Sequence, residues 1–442
     1  MAHRYLLRGT VALAVTALAL AGCSSDDDSS SDDASASGSA TTTTTDCGDN
    51  VDQASPGPVD TSPLKIGTLL PATGSLAFLG PPMFAGTKLA VADVNAAGGV
   101  LDKPVEEIDG DSGDTTTDTA NATVDRELAA GTQVIVGAAS SSVSLKVIDK
   151  IASAGAVMFS PANTSDEFTC YADKGMYFRT APADTLQAQA LAQVIAEGGA
   201  QRVSILAMND PYGTGLADNT VSDLEAAGVP SDQIQKIIYD PNAQSFNAEV
   251  DQVKNFNPDG IAVIGFEESA KIITRMNEVG IGPKDKLVFG VDGNMGNALG
   301  ESVGAGILEG MKGTTPLTKV GPDFEARLLG IDPGLIDFNY AGESYDAVVI
   351  SALAAETAKS TNGQSIASEI NNVTKDGTKC TTYAECLPLV QAGTDIDYDG
   401  VTGELSFVTA GEPSIGSYGV LEFGPDNKLI APVADFKVVS DN

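Results

Sequence analysis

Residues 133–164 read QVIVGAASSSVSLKVIDKIASAGAVMFSPANT. Gln133–Gly137 is a short β-branched run closed by glycine, which reads as a strand. Ala138-Ala139-Ser140-Ser141-Ser142 follows and opens a helix, because serine is a favoured N-cap. Val157–Ser160 is a second short β-branched run, ended by Pro161. A strand, a helix and a strand in so few residues form one parallel βαβ unit with a right-handed crossover.

The same alternation extends in both directions. Further strand-like runs are Leu64–Leu70, Val203–Ala207, Ile234–Tyr239, Ile261–Gly265 and Leu287–Val291. Amphipathic, alanine-rich stretches lie between them: Phe84–Asn95, Thr117–Ala130, Leu186–Glu197, Ala217–Ala227, Phe246–Phe256 and Ala270–Val279. This pattern predicts an α/β protein with parallel sheets covered on both faces by helices. The chain from Leu64 onward is long enough for two doubly wound lobes. In such lobes ligands bind beyond the carboxyl ends of the strands, so the residues just after each strand are where function is sought.

Those residues are Pro71 to Gly80, the serine cluster 140–142, Pro161-Ala162-Asn163-Thr164, Asn209-Asp210-Pro211-Tyr212-Gly213 and Asp292-Gly293-Asn294. A serine cluster at a helix start offers hydroxyls and free N–H groups to an anion. Simple N-capping explains the same serines, Tyr212 alone is an ordinary turn residue, and Asp292 alone is a cap. Their joint placement after successive strands is what marks a site.

At the N-terminus Arg4 and Arg8 precede the apolar run Val11 to Leu20, which is too short to span a bilayer and has the shape of a signal peptide. Leu20-Ala21-Gly22-Cys23 resembles the lipobox of bacterial lipoproteins, which implies a signal peptide over 1–22 and a lipidated Cys23. The bland alternative is an ordinary signal with a coincidental cysteine. Ser24 to Thr45 is almost wholly Ser, Asp, Thr, Ala and Gly, so 23–63 is expected to be a disordered tether. No later segment has the length and apolarity of a membrane span.

A formal net charge of −35 and a pI near 4.1 argue against nucleic acid as a partner and against a basic membrane-binding face. His3 is the sole histidine. That removes histidine-based nucleophile systems and histidine metal sites, and no metal, no cofactor and no catalytic residue is expected. Five cysteines occur, Cys23, Cys47, Cys170, Cys380 and Cys386. With Cys23 lipidated, four remain in an oxidising compartment and favour two disulfides of three possible pairings. The close pair Cys380/Cys386 is expected to bridge locally, leaving Cys47 to tie the end of the tether to Cys170. A four-cysteine zinc site is the alternative, but CxxC spacing is missing.

Two further signals are weak. Asp395 to Gly400 begins like a calcium loop, but the twelfth place is Ser406 rather than a glutamate. Glu267-Glu268 invites a catalytic-pair reading, but adjacent helical residues do not face one another.

Taken in order, several stretches resemble the leucine/isoleucine/valine-binding proteins of bacterial ABC importers. They are Thr73-Gly74, Asp93 to Val100, the serine cluster, Phe159 to Ala162, Phe178-Arg179-Thr180, Tyr212-Gly213 and Gly400 to Gly403. The resemblance runs from about Leu64 to Val438. It implies the type I periplasmic-binding fold, a monomer, a small amino-acid ligand, an ABC permease as partner, and attachment to the membrane through the lipid. It implies lobe 1 over 64–181 plus 316–399 and lobe 2 over 182–315 plus 400–440. A three-strand hinge would cross near Ala181-Pro182, Thr315-Pro316 and Asp399-Gly400. By the same resemblance the ligand carboxylate would meet Ser141, Ala162 and Thr164, and its ammonium Asp292 and Tyr212. A further contact falls in the Gly265-Phe266-Glu267 turn, at Glu267, and the side-chain pocket near Phe78 or Leu79. A sensor of the same fold, signalling to a membrane receptor, is the competing reading; a carboxylate hydrolase is a third.

Overall fold

Seven runs read as strands are strands, because each is a β-branched segment short enough to lie wholly inside a sheet. The computed structural model describes residues 47, 51–318 and 321–440; the expected signal peptide, Cys23 and most of the expected tether lie outside the described residues. The chain opens with β1 (Lys65–Leu69), α1 (Gly80–Ala96), β2 (Glu106–Ile108), α2 (Thr119–Ala129), β3 (Val134–Gly137), α3 (Ser141–Ser153), β4 (Val157–Ser160) and β5 (Tyr177–Arg179). These strands form one parallel sheet in the order β2-β1-β3-β4-β5. Its register sets Leu69 opposite Gly137 and Val136 opposite Phe159. The loops after β1, β3 and β4 therefore emerge at the same end.

The second lobe is built from α4 (Asp184–Glu197), β6 (Val203–Met208), α5 (Pro211–Ala226), β7 (Ile234–Tyr239), α6 (Asn247–Phe256), β8 (Gly260–Ile264), α7 (Ser269–Glu278), β9 (Leu287–Gly290), α8 (Asn297–Ser302) and β10 (Lys312–Pro316). The chain then returns to the first lobe with α9 (Pro322–Ile331), α10 (Ala341–Ala358), α11 (Gly363–Ile370), β11 (Thr378–Cys380), α12 (Tyr383–Gln391) and β12 (Ile396–Tyr398). It ends on β13 (Ile415–Glu422) and β14 (Asp435–Ser440) in the second sheet, whose order is β14-β13-β10-β9-β8-β6-β7. This sheet is not parallel throughout, as expected from the alternation alone. β13 runs antiparallel to both β10 and β14; it reaches β14 with no helix between them, such as a parallel pairing would need.

Helix α10 carries no amphipathic pattern because Ala341 to Glu356 are all buried. It packs on α1 at Gly86, where a Cβ would strike the Ala341 carbonyl, so that position has room for hydrogen only. Disulfides join Cys47 to Cys170 and Cys380 to Cys386, with Cα atoms 5.5 and 5.4 Å apart. One expectation is corrected. Residues 51–63, assigned to the loose tether, lie along the first lobe. Asp60 N–H donates to Ser360, Thr361 N–H donates to the Asp60 carbonyl, Gln53 donates to the Thr409 carbonyl, and Lys174 N–H donates to Asp52. Polar composition left this segment free of a core but not of hydrogen-bond partners.

Candidate functional site

The site grows from strand ends. Gly137 ends β3, and after two residues Ser140 caps α3 by accepting from Val143 N–H at 3.4 Å. The serine cluster divides its work. Ser140 is the cap, Ser142 donates to Asp210 in the second lobe at 3.0 Å, and Ser141 faces a cavity. Thus capping and site placement are both true, of different serines.

The turn after β4 is fixed from below. Ser160 Oγ accepts from the N–H groups of Ala162 and Asn163 and donates to the Ala138 carbonyl at 2.7 Å. Arg179, fully buried on β5, donates to the carbonyls of Asn163 and Ser165, which flank Thr164. Its charge is matched by Glu412, whose carboxylate accepts from Nε at 2.8 Å. A buried guanidinium left without that partner would be strongly destabilising, so the pair is structural.

From the second lobe comes Asp292, in the loop after β9 and 4% exposed. Its Oδ1 accepts from Gln187 Nε2 and from the Tyr212 hydroxyl, both at 2.8 Å. Its Oδ2 accepts from the Tyr340 hydroxyl at 2.6 Å. Burial pushes the Asp292 carboxyl up, and these three donors oppose that by favouring the ionised form. The Tyr212 ring stacks on Phe266 with centroids 5.5 Å apart.

Together these residues enclose a small cavity between the lobes. Leu76, Leu79, Ala139, Ser141, Ala162, Thr164 and Tyr340 come from the first lobe; Tyr212, Phe266, Asp292 and Gly293 come from the second. The hydroxyl-bearing Ser141 and Thr164 thus line a wall opposite a buried anion under aromatic rings. Buried apolar residues run continuously from Leu76 and Leu79 through Tyr340 to Phe266, so the lobes are closed on each other.

Of the residues expected from sequence, Leu79, Ser141, Ala162, Thr164, Tyr212 and Asp292 meet here. Phe78 is half-buried and turned onto Gly296 instead of the cavity. Glu267 is exposed, and its neighbour Phe266 lines the wall. Glu268 points the opposite way, buried, accepting from Tyr239 and Phe266 N–H. The two glutamates are therefore no catalytic pair. The calcium-like turn is also occupied internally: Lys379 pairs with Asp397, Asp399 and Glu404 at 2.9, 3.0 and 3.5 Å. Sequence reading missed Gln187 and Tyr340, which nothing local marked; Phe266 lies in the 265–267 turn expected to supply a contact, one residue from Glu267.

The periplasmic binding protein family matches residues 63–385. The chain belongs to this family. A Leu/Ile/Val-binding protein homolog from Brucella abortus is 26% identical over 378 residues, 83% of this chain and 92% of that one. The chemotactic signal transduction substrate-binding protein BasB of Halobacterium salinarum is 26% identical over 374 residues, 80% of this chain and 86% of that one. Among solved structures, the branched-chain amino acid transporter substrate-binding protein LivJ from Streptococcus pneumoniae, in complex with isoleucine, superposes with a TM-score of 0.68. At 22% identity it covers 86% of this chain and 100% of LivJ, which shows the fold. This periplasmic binding protein thus has two type I lobes, and its closed cleft holds the cavity described above.

Proposed function

We propose that the protein captures a small amino acid, branched-chain or similar in size, outside the cytoplasmic membrane and delivers it to an ABC permease. The observation that carries this is the opposition, across one closed cavity, of the α3 start and the 162–164 turn to Asp292 beneath Tyr212 and Tyr340. Donors at a helix start suit a carboxylate, and a carboxylate beside aromatic rings suits an ammonium. Ser141, Ala162 and Thr164 take the first role, Asp292 and Tyr212 the second. Leu76, Leu79 and Phe266 are the apolar remainder, against which an aliphatic side chain packs.

On this reading acyl chains on Cys23 hold the protein at the membrane surface. The lobes take the limits 64–181 plus 316–399 and 182–315 plus 400–440, and rotate about the three crossings between them. A ligand touching both walls stabilises the closed state over the open one. Mass spectrometry of ligand carried through purification, followed by calorimetry with the twenty amino acids, tests the reading. Binding of isoleucine, leucine or valine, and none of the matching 2-oxo acids, is expected. Binding only of ligands without an amino group would overturn it. The sensing alternative draws on the similarity to BasB. Deleting the gene separates the two, since transport predicts lost uptake of the amino acid and sensing predicts lost response with uptake intact.

A further inference from the structure

A second opening shares no lining residue with the cavity at Asp292. It is a groove of about 590 Å³, bounded by α9 and the 336–343 segment on one side. β13, β14 and the loop joining them bound it on the other. That volume lies in the range of small-molecule sites. Phe324, Phe338, Val433 and Phe436 make its surface mainly apolar. Ile336 and Ile430 also line it, 61% and 52% exposed, apolar side chains that the protein itself leaves uncovered.

The polar side chains that reach the groove have already committed their donors. Asn297 donates to Asp337, and Asn339 donates to the Met295 carbonyl at 3.3 Å. Thr318 donates to the Val401 carbonyl at 3.0 Å, and Thr402 donates to Asp346. Among the described lining residues the charged ones are Glu325, Asp337 and Glu343, and none is basic. The groove is therefore rich in acceptors, and an occupant has to bring the donors. A carboxylate or phosphate would meet three acids and no base, which rejects it.

Glu343, in the first turn of α10 and 6% exposed, is the least exposed of the three acids. Asp337 is satisfied by the N–H and the amide of Asn297, whereas only its own backbone N–H favours the ionised form of Glu343. Burial pushes the Glu343 carboxyl up to about 8. Asp346, itself held by Tyr398 and Thr402, adds to that push. A cation brought beside such a carboxyl favours its ionised form and supplies the missing partner.

We propose that this groove is a second ligand site, for an apolar amine whose ammonium pairs with Glu343 while its hydrocarbon body lies on Val433 and Phe436. The charge balances: one ammonium enters, any proton held by Glu343 passes to solvent, and one neutral ion pair remains. Unlike the amino acid at Asp292, this ligand carries no carboxylate.

The test is calorimetry of octylammonium, octanol and octanoate with the full chain at about pH 9, where Glu343 is largely ionised and the amine is still charged. The parent should bind one octylammonium at least about tenfold more tightly than octanol, and octanoate most weakly of the three. Glu343→Gln should bring octylammonium to the level of octanol. The chain has no tryptophan, so Ile430→Trp places a sole indole fluorophore on the groove. Its emission should move to shorter wavelength with the midpoint of the calorimetric titration. That reporter leaves Glu343 intact and decides the case should Glu343→Gln fail to fold. Three results would each overturn the proposal: octanoate bound as tightly as octylammonium, an unchanged preference for the amine in Glu343→Gln, or heat without an emission shift. The last would put the amine elsewhere, first of all at Asp292. None of the three bears on the amino-acid reading, which titration with leucine tests separately.

Discussion

The Tyr340 hydroxyl donates to Oδ2 of Asp292 at 2.6 Å and so spans the cleft from one lobe to the other. Tyr340 precedes α10 with φ at 60°, a left-handed conformation uncommon for a bulky side chain, and the ring is 1% exposed. Tyr340→Phe keeps the ring and removes the bond. A hydrogen bond to a charged group is worth about 1.5–3 kcal/mol, so affinity should fall roughly 10- to 150-fold. Calorimetry measures that loss, and small-angle scattering of the ligand-free variant should show a larger radius of gyration as the cleft opens.

Asp292→Ala removes the single anion of the cavity wall and leaves Gln187, Tyr212 and Tyr340 without their acceptor. Loss of one partner of a buried charge pair costs about 2–5 kcal/mol, or roughly 30- to 5,000-fold in affinity. Asp395→Ala is the matched control, an exposed carboxylate in the calcium-like turn, and should bind as the parent does. Near-parental binding by Asp292→Ala would contradict the ammonium role.

Much of the fold is legible because period and length decide between strand and helix for elements like β6 and α6. Helix α10 is not, since a helix buried all round has no polar face to reveal its period. β10 is not either: KGTTP joins glycine and proline in a strand that only its neighbours β9 and β13 stabilise. In the site, residues directly after strands were readable from topology. Tyr340 and Gln187 were not, because Asp292 lies 48 and 105 residues away from them and only tertiary structure brings them together.

The Cys47–Cys170 bridge closes 123 residues of chain, against 6 for Cys380–Cys386. In the chain-entropy picture the longer loop contributes more, roughly 5 against 2 kcal/mol. Cys47→Ser with Cys170→Ser should therefore lower the melting temperature more than Cys380→Ser with Cys386→Ser. Thermal unfolding of the two double variants, with intact mass confirming the absence of free thiols in the parent, decides the order.

Glu127 on α2 is fully buried, and desolvation pushes its carboxyl up from 4.5 to about 8. Such a group binds its proton more tightly folded than unfolded. Its contribution to stability is complete below pH 4.5 and is lost as pH rises through about 8. Glu127→Gln, which cannot ionise, should match the parent near pH 5 and exceed it above pH 8, by a few kcal/mol in order of magnitude. Glu343, pushed to about 8 mainly by burial, keeps part of the slope. Urea unfolding at the two pH values measures the difference, and a variant no more stable than the parent at high pH would show that Glu127 is ionised without penalty.

Closure is also held outside the cavity. Asp337, between α9 and α10, accepts from the N–H and the Nδ2 of Asn297 at 2.9 and 2.6 Å, and Asp210 accepts from Ser142 at 3.0 Å. Each pair joins one lobe to the other and touches no part of the cavity wall. Bonds of this kind stabilise the closed state equally for every occupant, because none of them senses which ligand is inside. Asp337→Ala removes two, each worth about 0.5–1.5 kcal/mol, and should weaken binding roughly 5- to 150-fold. The ratio of affinities for isoleucine and valine should stay at the parental value, since the competent closed state becomes rarer for both alike. A wall residue such as Leu79→Ala should do the reverse and change the ratio more than the mean. Titration of both ligands against both variants separates a latch from a lining residue. A changed ratio in Asp337→Ala would place that carboxylate in the recognition of the side chain instead.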